Sequence, residues 1–231
     1  MESQGRKIHG QAAHAREAGE HLKSLQLNDE AFIIYQKDGD ILGLSEIFAD
    51  RAITFRHLYN ETDNKLYLII AKHELVAAVE IAEQSGNRQA LALPYLQLGN
   101  VQRELGQLED AKSSYQKAVE NQTNNPANEH NRPGVLADLK GHLAACEYKL
   151  GDKSAFDRAL SALSDLENSD EPKYNKDVQT SGAHMRIAEA LSEDDPVKAK
   201  DHLQKAKEII DSNPDLKLRK AQWDKLSQTF N

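Results

Sequence analysis

The sequence has a single cysteine, Cys146, and therefore cannot form an internal disulfide bond. The lack of a disulfide is typical of a reducing compartment, so we expect the protein to be cytoplasmic. Leu139, Leu143 and Leu150 lie at helical spacing from Cys146. This spacing predicts that Cys146 is a small core residue rather than a reactive thiol.

Long apolar runs and excess positive charge are also lacking. No stretch approaches the about 18 consecutive apolar residues of a membrane-spanning helix, and the N-terminal MESQGRKIHG is unlike a signal peptide. The formal net charge of −8 argues against binding to nucleic acid, which depends on lysine and arginine displacing counterions. We therefore expect neither a membrane nor a nucleic acid as a partner.

Motifs that carry catalysis or bind cofactors are absent from the sequence. It contains no Gly-x-Ser-x-Gly, no glycine-rich phosphate loop and no His-Glu-x-x-His. These absences predict a protein that is not an enzyme and that needs no cofactor.

Two weak metal-like patterns do not predict a site. His14, Glu17 and His21 would share one face of a continuous helix, but His9 lies on a different face and no fourth ligand follows. Asp38-Gly-Asp40-Ile-Leu-Gly43 resembles the start of a calcium loop, yet the later ligand positions hold Leu42 and Ala49. We interpret this segment as the end of one helix and the start of the next, and we expect no bound metal.

The sequence does contain an internal repeat. Ala111 begins the segment AKSSYQKAVE, and similar segments begin at Ala71, Ala155 and Ala199, at intervals of 40, 44 and 44 residues. Self-similarity at this period is typical of helical-repeat proteins, in which one unit is used several times.

Helical periodicity and turn residues divide the rest of the chain into helices. Asparagine-rich residues 121–133 form the longest predicted loop, and long loops are often functional. The predicted helices span 7–26, 28–38, 41–60, 64–84, 89–105, 108–121, 135–150, 153–166, 177–191 and 197–211, with a last helix after Pro214.

One segment carries a family pattern. An aromatic residue precedes a Leu-Gly pair, a glycine turn follows, and the second helix then has Ala, an aromatic residue and Ala; the residues are Tyr95, Leu98, Gly99, Gly106, Ala111, Tyr115 and Ala118. This pattern resembles the tetratricopeptide repeat (TPR), with Tyr95 in place of the usual tryptophan. The resemblance covers 90–122 most fully. It continues over 134–212 with Lys140 and His184 in place of the first aromatic, and it is weak before residue 65.

The resemblance implies an all-α fold, a right-handed superhelix of antiparallel helix pairs, with residues 213–231 as a C-terminal capping helix. It implies a single helical-repeat domain over 1–231, in which 1–62 form divergent N-terminal helices and 63–212 form TPR-like helix pairs. In this family the first helix of each pair lines a concave groove that holds a partner's peptide or helix.

Aligned on the repeat, the groove positions of this chain carry amide, charged and aromatic side chains. The predicted partner-binding residues are Gln97, Asn100, Arg103, Glu104, His142, Tyr148, Lys149, Arg186 and Glu189.

Some relatives bind a partner's C-terminal carboxylate through two Lys, two Asn and one Arg. Here only Asn100 and Arg186 match those positions, since Leu96, His142 and Gly182 occupy the others. The sequence therefore does not predict a carboxylate site of that kind.

The sequence predicts a non-catalytic interaction adaptor that binds a protein or peptide in its groove. The alternative is a small-ligand sensor or regulatory subunit built on the same helices, which the long 121–133 loop favours.

Overall fold

The computed structural model describes residues 3–127 and 131–230, and within these ranges the chain is helical with no strand. The α-helices are α1 (Gln4–Glu17), α2 (His21–Asp38), α3 (Ile41–Thr62), α4 (Leu66–Ser85), α5 (Ala92–Glu104), α6 (Leu108–Asn124), α7 (Pro133–Lys149), α8 (Ala155–Glu167), α9 (Lys173–Leu191), α10 (Pro196–Asp211) and α11 (Lys217–Ser227).

The helices pack in pairs within two compact units, Met1–Asn125 (unit 1) and Pro126–Asn231 (unit 2). Unit 1 contains the pairs α1/α2, α3/α4 and α5/α6, and successive pairs contact each other in chain order. Unit 2 contains α7/α8 and α9/α10, with α11 packed on α9 and α10. The predicted all-α architecture of helix pairs is confirmed, whereas the single-domain organisation stays a prediction.

The repeated alanines are buried residues of the second helices. Ala71, Ala111, Ala155 and Ala199 lie on α4, α6, α8 and α10, the second helices of their pairs, and all four are fully buried. Ala31 on α2, 40 residues before Ala71, is fully buried as well. The repeat therefore extends into the first helix pair, where the sequence pattern did not predict it.

The N-terminal boundary was predicted wrongly. One helix was expected over 7–26, but Gly19 adopts a left-handed conformation with φ 79° and separates α1 from α2. Asn28, predicted to cap a helix, lies within α2 and is fully buried. Two further ends shift, because α6 continues to Asn124 and α9 begins at Lys173. Of the predicted 121–133 loop, residues 128–130 lie outside the described residues.

Gly99 allows α5 and α6 to approach closely, as predicted from the repeat. A Cβ atom at this position would lie 2.5 Å from Cε1 of Tyr115 and 2.6 Å from its Cδ1. Tyr115 is itself fully buried and cannot move aside into solvent.

We therefore expect Gly99→Ala to destabilise the protein by about 1–3 kcal/mol through overpacking. The matched control is Gly10→Ala in the exposed middle of α1, where a Cβ would meet nothing within 4 Å. Alanine has the higher helix propensity, so the control should be neutral or stabilise by up to about 1 kcal/mol. Urea unfolding followed by circular dichroism measures both, and equal effects would contradict the packing role of Gly99.

Candidate functional site

In unit 1 two of the predicted residues of α5, Gln97 and Glu104, contact one arginine of α3. The Arg56 guanidinium donates from Nη2 to Oε1 of Glu104 at 2.6 Å and from Nε to its Oε2 at 3.2 Å. Its Nη1 also donates to Oε1 of Gln97 at 2.9 Å. A bidentate, charge-assisted contact of this kind holds both side chains in fixed positions. The first helices α3 and α5 are thus joined by a rigid polar network.

The other two predicted residues of α5 border this network. Asn100 is 7% exposed, and its Oδ1 accepts a hydrogen bond from the Tyr115 hydroxyl at 3.0 Å. Nη2 of Arg103 lies 3.9 Å from Oε1 of Glu104, with the Arg103 side chain 22% exposed. Asn100 is therefore committed largely to the packing of α5 on α6, whereas Arg103 keeps part of its surface accessible.

In unit 2 the same kind of contact joins the first helices α7 and α9. Nη2 of Arg186 donates to Oδ1 of Asp138, and both side chains are largely buried. His142 lies beside this pair, with Nε2 3.9 Å from Oδ2 of Asp138. Further along, Lys149 Nζ lies 2.9 Å from Oε1 of Glu189, and these two side chains remain 31% and 32% exposed.

Tyr148 belongs to the core of unit 2. Its side chain packs on Phe156 with ring centroids 6.0 Å apart, and the Lys153 ammonium lies 4.3 Å from its ring centroid. Burial raises the pKa of the Tyr148 hydroxyl above its usual value. Replacing Tyr148 would thus disturb folding as well as any contact with a partner.

The sequence did not predict the residues that form ion pairs with the predicted site residues. Arg56 and Asp138 were not singled out, although each lies 48 residues before its partner, Glu104 and Arg186. A third pair of this kind joins α1 to α3, where Arg6 donates to Glu46. Opposite charges spaced by about one repeat on successive first helices are the signal that could have identified these contacts.

His14, Glu17 and His21 do not share one helix. α1 ends at Glu17, and the turn at Gly19 places His21 on α2. Nε2 of His21 instead lies 2.8 Å from Oε1 of Glu61, and its ring meets that of His57 edge-on at 5.7 Å. Burial, together with the charge of nearby Arg16, lowers the pKa of His57 to about 4.

Among residues 3–127 and 131–230, no group of three His, Cys, Asp or Glu side chains is arranged to hold a metal ion. At the calcium-like segment, α2 ends at Asp38 and Oδ1 of Asp40 accepts a hydrogen bond from the Gly43 N–H at 2.8 Å. This confirms the interpretation of a helix end followed by a helix start.

No helix in the described part of the chain is both long and apolar enough to cross a bilayer.

Comparison with known proteins shows the fold. No family model and no curated protein matches the chain. Among solved structures, BtubC (BKLC) from P. vanneervenii is 20% identical, with a TM-score of 0.61 over 87% of this chain and 77% of that chain. A point variant of a Podosopora anserina putative kinesin light chain with nearly identical TPR-like repeats is 15% identical, with a TM-score of 0.61 over 91% of this chain and 97% of that chain.

A second structure of the same kinesin light chain repeats is also 15% identical and has a TM-score of 0.58, covering 96% of this chain and 98% of that chain. The fold is thus that of a TPR-like helical-repeat protein. The family pattern at Tyr95, Gly99 and Tyr115 agrees with this fold.

Proposed function

We propose that this protein is a cytoplasmic, non-catalytic interaction adaptor that binds a peptide or helix of a protein partner on its first helices. The observation that carries the proposal is the network of ion pairs joining successive first helices, Arg56–Glu104 in unit 1 and Lys149–Glu189 in unit 2. Each network leaves donors and acceptors partly exposed side by side, which is what a peptide main chain requires.

The pairing also indicates the kind of partner. Because cations and anions alternate and hold each other in place, the first helices offer a preorganised surface with little excess charge of either sign. A peptide that is bound mainly through its main chain and uncharged side chains fits such a surface better than a strongly acidic or basic one.

The proposal predicts that reversing one exposed pair alters recognition without unfolding. In Lys149→Glu/Glu189→Lys the ion pair is retained with opposite polarity, so stability should change by less than about 1 kcal/mol. Peptides selected against the full chain from a display library should bind this variant at least tenfold more weakly in a fluorescence-anisotropy titration.

The matched control is Lys205→Asp/Asp201→Lys, which reverses an exposed pair on the second helix α10. The control should bind the selected peptides as the unaltered protein does. Equal binding by all three proteins, or a library that yields no binding peptide, would contradict the assignment to the first helices.

One observation favours the alternative function, a small-ligand sensor or regulatory subunit. A cavity of about 350 Å³ in unit 2 is lined by Pro133, Leu136, Ala137 and Lys140 of α7 and by Asp165, Asn168, Ser169 and Asp170. This volume lies at the small end of the range for ligand sites. A thermal-shift screen separates the two functions, because a stabilising metabolite supports the sensor and a stabilising peptide supports the adaptor.

A further inference from the structure

The outward face of α4 differs from that of α6. Leu66, Ile69 and Ile70 are 62%, 45% and 39% exposed. One repeat later, 40 residues on, α6 has Glu109 and Asp110 at the positions of Ile69 and Ile70. The equivalent helix thus meets solvent with charged residues where α4 presents large apolar ones.

The fold of unit 1 does not need this apolar face. The opposite side of α4 already supplies its core residues, since Leu68, Ala71, Leu75 and Ala78 are fully buried. A surface helix normally carries one apolar stripe and polar residues elsewhere. A second, exposed stripe of large apolar residues marks an interaction site.

We propose that this face of α4 binds the α4 of a second copy of the chain, antiparallel and related by a two-fold axis at His73. In that arrangement Ile69 of each copy lies over Ala77 of the other, so a large side chain meets a small one. Leu66 lies opposite Glu80, which brings Lys65 of one copy beside Glu80 of the other. Ile69 and Ala77 are thus complementary in size, and Lys65 and Glu80 are complementary in charge.

The charges support a second copy over other occupants. Within residues 3–127 and 131–230, neither Lys65 nor Glu80 forms an ion pair, so both are available to a partner copy. A two-fold axis makes each contact twice, which is how most homodimers assemble.

The expected dimer is weak. α4 has 20 residues and is therefore about 30 Å long, so one helix pair gives an interface at the low end of the size range. We expect dissociation at micromolar concentrations and association toward about 1 mM. The surface is separate from the first helices, so failure of this proposal leaves the proposed function untouched.

A cysteine at the two-fold axis tests the arrangement directly. Native Cys146 is buried, so His73→Cys supplies the exposed thiol, and mild oxidation should convert it to a disulfide-linked dimer. The matched control is Ser113→Cys, the exposed equivalent on α6 one repeat later. We expect at least tenfold faster cross-linking of His73→Cys, and equal rates would overturn the proposal.

Solution mass tests the interface without a cysteine. Sedimentation velocity over a concentration series should show the mass shifting from one chain to two. The variant Ile69→Glu/Ile70→Asp should remain monomeric with unchanged circular dichroism. It gives α4 acidic residues at the positions where α6 has Glu109 and Asp110. A chain that stays monomeric at every concentration, or a double variant that still dimerises, would overturn the proposal.

Discussion

Replacing Asp50 with asparagine is expected to destabilise the protein by about 3 kcal/mol, because it leaves the largely buried Arg16 with only the exposed carboxylate of Glu17 as counterion. Oδ1 of Asp50 accepts a hydrogen bond from Nη1 of Arg16, and both side chains are 11% exposed. Oδ2 accepts a second hydrogen bond, from Nδ2 of fully buried Asn28 at 3.0 Å. Asp50 therefore joins α1, α2 and α3 through a single carboxylate.

Asparagine replaces this carboxylate poorly, because a neutral amide oxygen accepts from the Arg16 guanidinium more weakly than a carboxylate does. Its NH₂ group would face Asn28, whose amide would have to rotate so that its buried Oδ1, which has no hydrogen-bond partner, accepts. Urea unfolding monitored by circular dichroism gives the loss of stability. Native-state hydrogen exchange should show it in the amides of α1 to α3.

Two further variants separate the buried charge from a general packing effect. The side chains of Glu20 and Lys23 form an ion pair and are 50% and 62% exposed. Glu20→Gln breaks this pair and should lower the free energy of unfolding by less than about 1 kcal/mol. Arg16→Met/Asp50→Asn also removes the arginine that has lost its buried counterion, and it should be more stable than Asp50→Asn alone. If the double variant were the less stable of the two, the buried charge would not be the cause.

The sequence predicts best those parts of the fold whose residue pattern lies within a single helix. The second helices α4, α6, α8 and α10 were found because their alanines recur at the same separation within a helix, and those alanines are buried. The turn at Gly19 was missed because helical periodicity continues on both sides of it and no proline or asparagine marks it. A single glycine is tolerated within a helix at a cost of about 1 kcal/mol, so Gly19 alone does not predict the end of a helix.

The candidate site was less predictable because its contacts join different repeats. The repeat alignment selected Gln97, Arg103 and Glu104 by their position on α5, and all three lie at the network around Arg56. Arg56 itself was missed, since no local pattern relates a residue of α3 to one 48 positions later. Asn100 shares the predicted face of α5, yet its hydrogen bond to Tyr115 depends on the packing of α6.

Acidification is expected to destabilise unit 2 through a pair of histidines that join α9 and α10. The Nδ1 atoms of His184 and His202 lie 2.9 Å apart, and His184 is 4% exposed. A hydrogen bond between two Nδ1 atoms requires one of them to be unprotonated, so the pair cannot exist with both rings charged. Glu167 of α8, 3.6 Å from Nε2 of His184, is the facing carboxylate.

The pKa of each histidine lies below its usual value, and burial is the main cause. The pKa of His184 falls to about 4, with His202 and Lys205 adding to the effect of burial and Asp201 opposing it. The pKa of His202 is lowered by burial and by Lys205, again against Asp201. In the folded protein both rings therefore stay neutral at pH values where the unfolded chain would bind protons.

The sign of the effect follows from that difference in proton binding. Unfolded histidine titrates near pH 6.5, so the stabilisation from His184 is fully present above that pH and is lost as the pH falls toward 4. Each tenfold difference in proton affinity is worth about 1.4 kcal/mol, so the loss from this side chain reaches about 2 kcal/mol at pH 5 and about 3 kcal/mol near pH 4.

The only tryptophan makes this loss measurable in unit 2. Trp223 on α11 donates from Nε1 to the carbonyl oxygen of Leu203 on α10 at 2.8 Å, so its fluorescence reports on the helix that carries His202. Denaturant titrations between pH 7.5 and 5 should show a smaller fall in stability for His184→Gln than for the unaltered protein. His73→Gln, at an exposed histidine, should leave the fall unchanged. If His184→Gln lost as much stability as the unaltered protein over this range, carboxylates rather than the buried histidines would control the acid sensitivity of unit 2.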